Sequence, residues 1–159
     1  MQTLRLGLLL VLLSSAFGVR AADTLTVDSV QALLDSIMAN VDKRNAKAVV
    51  RAFAKDATIT LDLPQDLGGR MEMGRKKYGE MLRQSFATSS NYKYEVTNVK
   101  IALAADKRSA VVTDEVMETM EMGGITISTS TAERVEIVLV NGNPKVQTLY
   151  GKVKLLSPL

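Results

Sequence analysis

The chain of 159 residues contains no cysteine and no histidine. Without cysteine there can be no disulfide, no thiol nucleophile and no lipoprotein anchor. Without histidine, Ser-His and Cys-His catalysis and imidazole-ligated metal sites are excluded as well. Residues 1–21 hold Arg5 and Arg20 but no acid. Removing them takes the 20 basic residues to 18 against 17 acidic ones, so the net charge falls from +3 to +1. No basic tract interleaved with aromatics remains, and this argues against nucleic acid as a partner. Asn-x-Ser/Thr is also absent.

What the N-terminus does carry is Arg5, an apolar run from Leu6 to Leu13 and the small-residue pattern Val19-Arg20-Ala21. This is the pattern of a secretory signal peptide, with an apolar run too short for a stop-transfer helix. An uncleaved anchor is the competing reading; Ser14 and Ser15, followed by the cleavage-like site, speak against it. The expected organisation is a signal peptide over 1–21 and a single domain over 22–159. An exported chain with neither cysteine nor a glycosylation acceptor fits a bacterial periplasm best. No stable membrane anchor is expected after cleavage.

Val30, Leu33, Leu34, Ile37, Met38 and Val41 form one helical stripe, with Asp28 and Gln31 spaced as a capping box at its start. Asn45 is placed to cap a short second helix that buries Val49, Val50 and Phe53. At Phe53-Ala54-Lys55-Asp56-Ala57-Thr58-Ile59-Thr60-Leu61-Asp62 the period changes. Ile59, Leu61 and Leu63 alternate with Thr58, Thr60 and Asp62, as in a half-buried strand. Arg70 to Met73 reads as a short strand, and Gly74 opens a third helix with Tyr78, Met81, Leu82 and Phe86 on one face. Four long strands follow, roughly 92–103, 109–122, 125–140 and 146–155. Gly123-Gly124 and Asn141-Gly142-Asn143-Pro144 are strong reversal signals.

Two helices, the segment FAKDATIT, a third helix from Gly74 and four alternating strands resemble the nuclear transport factor 2-like superfamily. That superfamily includes the SnoaL-like polyketide cyclases and ketosteroid isomerase. The resemblance implies an α+β, cystatin-like fold: three helices from the N-terminal half packed on a curved antiparallel sheet, with a cone-shaped cavity between. In ketosteroid isomerase a general-base aspartate lies on the strand after the DAT segment, and an oxyanion-holding tyrosine lies on the first helix. By that alignment the positions here are Leu61 and Ile37, both apolar, so the resemblance supplies a fold and no catalytic label.

If Gly123-Gly124 is a two-residue turn, Met122 faces Ile125 and Asp114 stands opposite Glu133. Their face also holds Ala110, Val112, Val116, Met120, Ile127, Val135, Ile137 and Leu139, and is taken as the inner one. Either form of the Asn-Gly turn extends it to Val146, Thr148, Tyr150 and Lys152. Asp114 and Glu133 are therefore the candidate catalytic acids, because two desolvated carboxylates cannot both stay ionised cheaply. An outward turn at a bulge, or neutralisation by Lys152, would remove that role. Tyr78, Glu118, Met120, Tyr150 and Lys152 are the candidate pocket residues. On the other face Val111, Val138, Val140, Leu149, Val153 and Leu155 form an apolar patch, from which a sheet-to-sheet homodimer is expected.

Met71, Met73, Met117, Met120 and Met122 invite a copper reading. Met117 faces away from Met120 and Met122 on a strand, so flexible packing around a cavity is preferred and neither a metal nor a cofactor is expected. The expected function is an exported protein that binds a small apolar ligand or a partner protein without catalysis. The alternative is a small lyase, isomerase or cyclase whose inner carboxylates transfer protons. An assembly or secretion adaptor using only the sheet face is a third reading.

Overall fold

The computed structural model describes residues 23–156. The signal peptide expected over 1–21 lies outside them. The first helix, α1 (Val27–Asp42), starts from a capping box two residues earlier than the spacing predicts. Thr26 is the N-cap, its hydroxyl accepting from the Ser29 N–H and the Ser29 hydroxyl accepting from the Thr26 N–H, each at 3.0 Å. Gln31 is left free to donate to Asp35 Oδ1 at 2.8 Å. The second helix, α2 (Ala46–Arg51), is capped by Asn45, which accepts from the Ala48 N–H at 3.1 Å.

The chain then enters β1 (Phe53–Asp62), makes a short 3-10 turn over Gln65–Leu67 and pairs back as β2 (Arg70–Gly74). Gly74 is also the N-cap of α3 (Arg75–Thr88). Four strands follow: β3 (Ser90–Leu103), β4 (Ser109–Met122), β5 (Ile125–Val140) and β6 (Asn143–Leu155). The sheet order is β2-β1-β6-β5-β4-β3. All neighbours are antiparallel except β1 and β6, which run parallel and make the sheet mixed. That pairing joins strands almost a hundred residues apart, where no hairpin signal exists to announce it.

The two reversals behave as two-residue turns. Gly123 and Gly124 both have positive φ (59° and 83°), as do Asn141 and Gly142 (51° and 74°), the geometry that matches the twist of a hairpin. Met122 pairs with Ile125, and the register runs without a break to Asp114 opposite Glu133 and Ala110 opposite Ile137. Asn143 and Pro144, expected in the turn, belong to β6 opposite Val140 and Leu139.

The face of β6 differs from the expectation. Val146 pairs with Ile137 on the inner side, but Thr148 pairs with Glu136, leaving Gln147 as an extra residue in a β-bulge. From there the alternation is inverted. Leu149, Gly151 and Val153 stand opposite Val135, Glu133 and Thr131, while Tyr150 and Lys152 pair with Arg134 and Ala132 on the outer face. Tyr150 is exposed there and donates to Asp62 Oδ2 at 3.2 Å. The outer apolar patch shrinks accordingly: Leu149 and Val153 leave it, Leu155 pairs with the inward Thr129, and Val111, Val138 and Val140 remain.

The helices close over the concave face. Ile59, Ile137, Val30, Val49 and Val112 are fully or almost fully buried between the layers, each contributing about 1.5–3 kcal/mol by leaving water. Helix α3 packs against β1 and β2 and helix α1 against β3 and β6, leaving space between the helices over the inner face of the sheet. A cavity opens there.

Candidate functional site

The cavity has a volume of about 310 Å³ and lies between α1, α3 and the inner face of the sheet. Its walls are mostly aliphatic and methionine side chains, including Leu34, Ile37 and Met38 from α1, Met81 and Leu82 from α3, and Leu61, Val116, Val135 and Leu149 from the sheet. The alternating strands and the helical stripe place these residues inward for the same reason that they build the core. Ile37 and Leu61, the positions that the isomerase resemblance singles out, both line it.

Three carboxyl groups share this apolar chamber. Asp114 and Glu133 are cross-strand partners on β4 and β5, and Glu118 lies one turn of the pleat beyond Val116. Asp114 Oδ1 is fully buried and has no hydrogen-bond partner. Burial pushes the Asp114 carboxyl up from 3.8 to about 6. Glu133 is pushed from 4.5 to about 8, by burial first and then by repulsion from Asp114 and Glu118. Glu118 is raised by burial and partly held down by the Tyr92 hydroxyl, which donates to its Oε1.

Three tyrosines complete the polar lining. Tyr78 of α3 packs against Phe53 with ring centroids 5.3 Å apart, and Tyr92 of β3 against Phe86 at 5.5 Å. Tyr94 is the β3 partner of Glu118. Burial, reinforced by the neighbouring carboxylates, pushes all three phenols above their ordinary value of 10.0, so they remain neutral. Among the described residues, no lysine or arginine lines the cavity. Arg44, whose charge reaches Tyr92, is turned instead to the Ser89 and Phe86 carbonyls at 2.9 and 3.5 Å.

Of the residues proposed from sequence, the structure brings Asp114, Glu133, Glu118, Tyr78 and Met120 together around this chamber. Tyr150 and Lys152 are removed from it by the bulge at Gln147, so Lys152 does not neutralise the acid pair. Of the other methionines, Met71 and Met73 pack into the core and Met117 pairs with the outward Ser130. The thioethers therefore do not converge. Sequence reading missed Tyr92, Tyr94, Leu149 and Gly151. The alternation of Tyr92, Tyr94 and Val96 was a usable signal, and so was the change of parity from Val146 to Leu149, Val153 and Leu155.

Gly151 has a steric reason. A Cβ there would lie 2.9 Å from Thr131 Cγ2, 3.3 Å from Leu61 Cδ2 and 3.9 Å from Glu133 Oε1. The missing side chain relieves the close approach of Thr131 and Leu61, while the Glu133 carboxyl would lie only at ordinary contact distance.

An α+β cone of three helices on a six-stranded curved sheet is the nuclear transport factor 2-like fold, and solved structures show the likeness. A hexachlorocyclohexane dehydrochlorinase from Novosphingobium barchaimii matches at a TM-score of 0.64 with 16% identity, over 83% of this chain and 90% of that one. A ketosteroid isomerase-like protein from Erwinia carotovora matches at 0.60 with 17% identity, over 82% and 96%. An NTF2-like protein from Cytophaga hutchinsonii matches at 0.62 with 12% identity, over 81% and 97%. No protein-family model matches the chain. No curated protein sequence matches it either.

Proposed function

We propose that this is an exported, periplasmic protein that holds a small, largely apolar molecule in the cavity without transforming it. The carrying observation is a cavity of about 310 Å³, walled by aliphatic and methionine side chains, in which the described residues contribute as polar groups three carboxyls, three phenols and a few hydroxyl and amide groups. That is the usual make-up of a ligand site: apolar walls for affinity and a few fixed polar groups for orientation. The two positions where the isomerase resemblance calls for catalytic side chains are Leu61 and Ile37. A neutral apolar fluorophore such as N-phenylnaphthylamine is the direct probe. The wild-type protein should bind it, and Ile37→Trp, which fills the chamber from α1, should not while keeping its circular dichroism. Failure of the wild-type protein to bind would remove this reading.

One observation favours a second reading. With Asp114 near 6 and Glu133 near 8, one cross-strand carboxyl is mainly a base and the other mainly an acid at neutral pH. Such a pair can take a proton from carbon and give one to a leaving group, the chemistry of a lyase or isomerase. A hexachlorocyclohexane dehydrochlorinase and a ketosteroid isomerase-like protein are among the fold neighbours. Turnover of an apolar halide or alcohol bearing an acidic C–H, lost in Asp114→Asn, would establish it over simple binding. A homodimer through the outer sheet face remains part of the proposal, on the smaller patch of Val111, Val138 and Val140.

A further inference from the structure

We propose that the molecule held in the cavity is an organic cation: an apolar body carrying one ammonium group, seated with its charge at Asp114 and Glu133. This rests on the cavity being a ligand site. Its basis is an imbalance within the chamber. Asp114 and Glu133 face each other directly, and Asp114 Oδ1 is buried with no hydrogen-bond partner. Among the described residues no lysine or arginine lines the chamber, and Lys152, next to the acid pair's β6 neighbour Gly151, stands on the opposite face of the sheet. Arg44 is held by main-chain carbonyls.

A buried, unpaired carboxylate is costly, and the cost is relieved by a proton or by a counter-ion. Protonation removes the charge but supplies no partner for Asp114 Oδ1. A ligand ammonium satisfies the orphan oxygen of Asp114 and restores charge balance at once. The aromatic lining suits the same ligand. Tyr78 and Tyr94 come near enough to Glu133 for its charge to act on both phenols, and tyrosine rings attract an organic cation in a desolvated site. An anionic ligand would meet three acids and no base, and a neutral hydroxyl could donate to Asp114 Oδ1 but would leave the carboxylate charge unbalanced.

The groups that set the pH dependence are Asp114 and Glu118 on β4, Glu133 on β5, Tyr92 and Tyr94 on β3 and Tyr78 on α3. The lining contributed by α1, α2, β1 and β6 has no titratable side chain. Binding a cation favours the ionised carboxylates, so complex formation should release protons and strengthen as pH rises from about 5 to about 8.

Phenylbutylamine, phenylbutanol and phenylbutyrate share one apolar body and differ in charge, and isothermal titration of the three against the full protein is the test. At about pH 8 the amine should bind roughly tenfold or more tightly than the alcohol. The heat should depend on buffer ionisation in the sense of proton release. The preference should vanish in Glu133→Gln and, separately, in Asp114→Asn, while the alcohol still binds each variant. If the alcohol or the acid binds the wild-type protein as tightly as the amine, the cation assignment is overturned and the ligand cavity stands. If none of the three binds, both fall.

Discussion

Glu133 and Gly151 face each other across β5 and β6 on the concave side of the sheet, where a side chain at 151 would meet Thr131 and Leu61 beside the carboxyl. Gly151→Ala places a methyl group 2.9 Å from Thr131 Cγ2 and 3.3 Å from Leu61 Cδ2. The expected cost is about 1–3 kcal/mol, the usual range for overpacking. Urea unfolding measures it. An unchanged midpoint would mean that the wall yields freely and that Gly151 plays no part in shaping the acid end.

The raised carboxyl values give the protein a definite pH profile. A carboxyl that holds its proton more tightly folded than unfolded costs stability once the pH passes its unfolded value, and the cost grows until the pH reaches its folded value. For Glu133 that window runs from 4.5 to about 8, and for Asp114 from 3.8 to about 6. Stability should therefore fall as pH rises from about 5 to about 8. Glu133→Gln should stabilise by on the order of 1–3 kcal/mol at about pH 8 and change little at about pH 3. A variant that is destabilised at the higher pH would show that the carboxylate is satisfied there.

Tyr92→Phe tests the other acid. The change deletes the hydroxyl that donates to Glu118 Oε1 and leaves a buried carboxyl without that partner, at a cost of about 1–3 kcal/mol. Because this hydrogen bond holds Glu118 down, its carboxyl should titrate at higher pH in the variant. Carboxyl-carbon NMR follows it directly. A titration that does not move would disconnect the two side chains in solution.

For the dimer, Val138→Lys together with Val140→Glu places charge on the outer patch without touching the cavity. Sedimentation should show a dimer for the wild-type protein and a folded monomer for the double variant. A wild-type protein that is monomeric at micromolar concentration excludes the interface.

By itself the sequence determined what depends on neighbours along the chain. The stripe of Val30, Leu34, Ile37 and Val41, the Asn45 cap and the glycine pair at 123 and 124 are local signals, and a two-residue turn transmits register rigidly. Asp114 could therefore be placed opposite Glu133 from twenty consecutive residues. The face of β6 was decided elsewhere. One extra residue at Gln147 inverts every side chain after it, and the bulge lies beside β1, the parallel partner contributed by a segment distant in sequence. The same long-range packing brings Tyr78 and Tyr94 from separate elements to the acid pair, sends Lys152 to the far side and leaves Asp114 Oδ1 without a partner. Period-two alternation carries no information about which distant strand a residue will meet. The chemistry of the cavity, unlike its fold, follows from contacts that only the closed sheet creates.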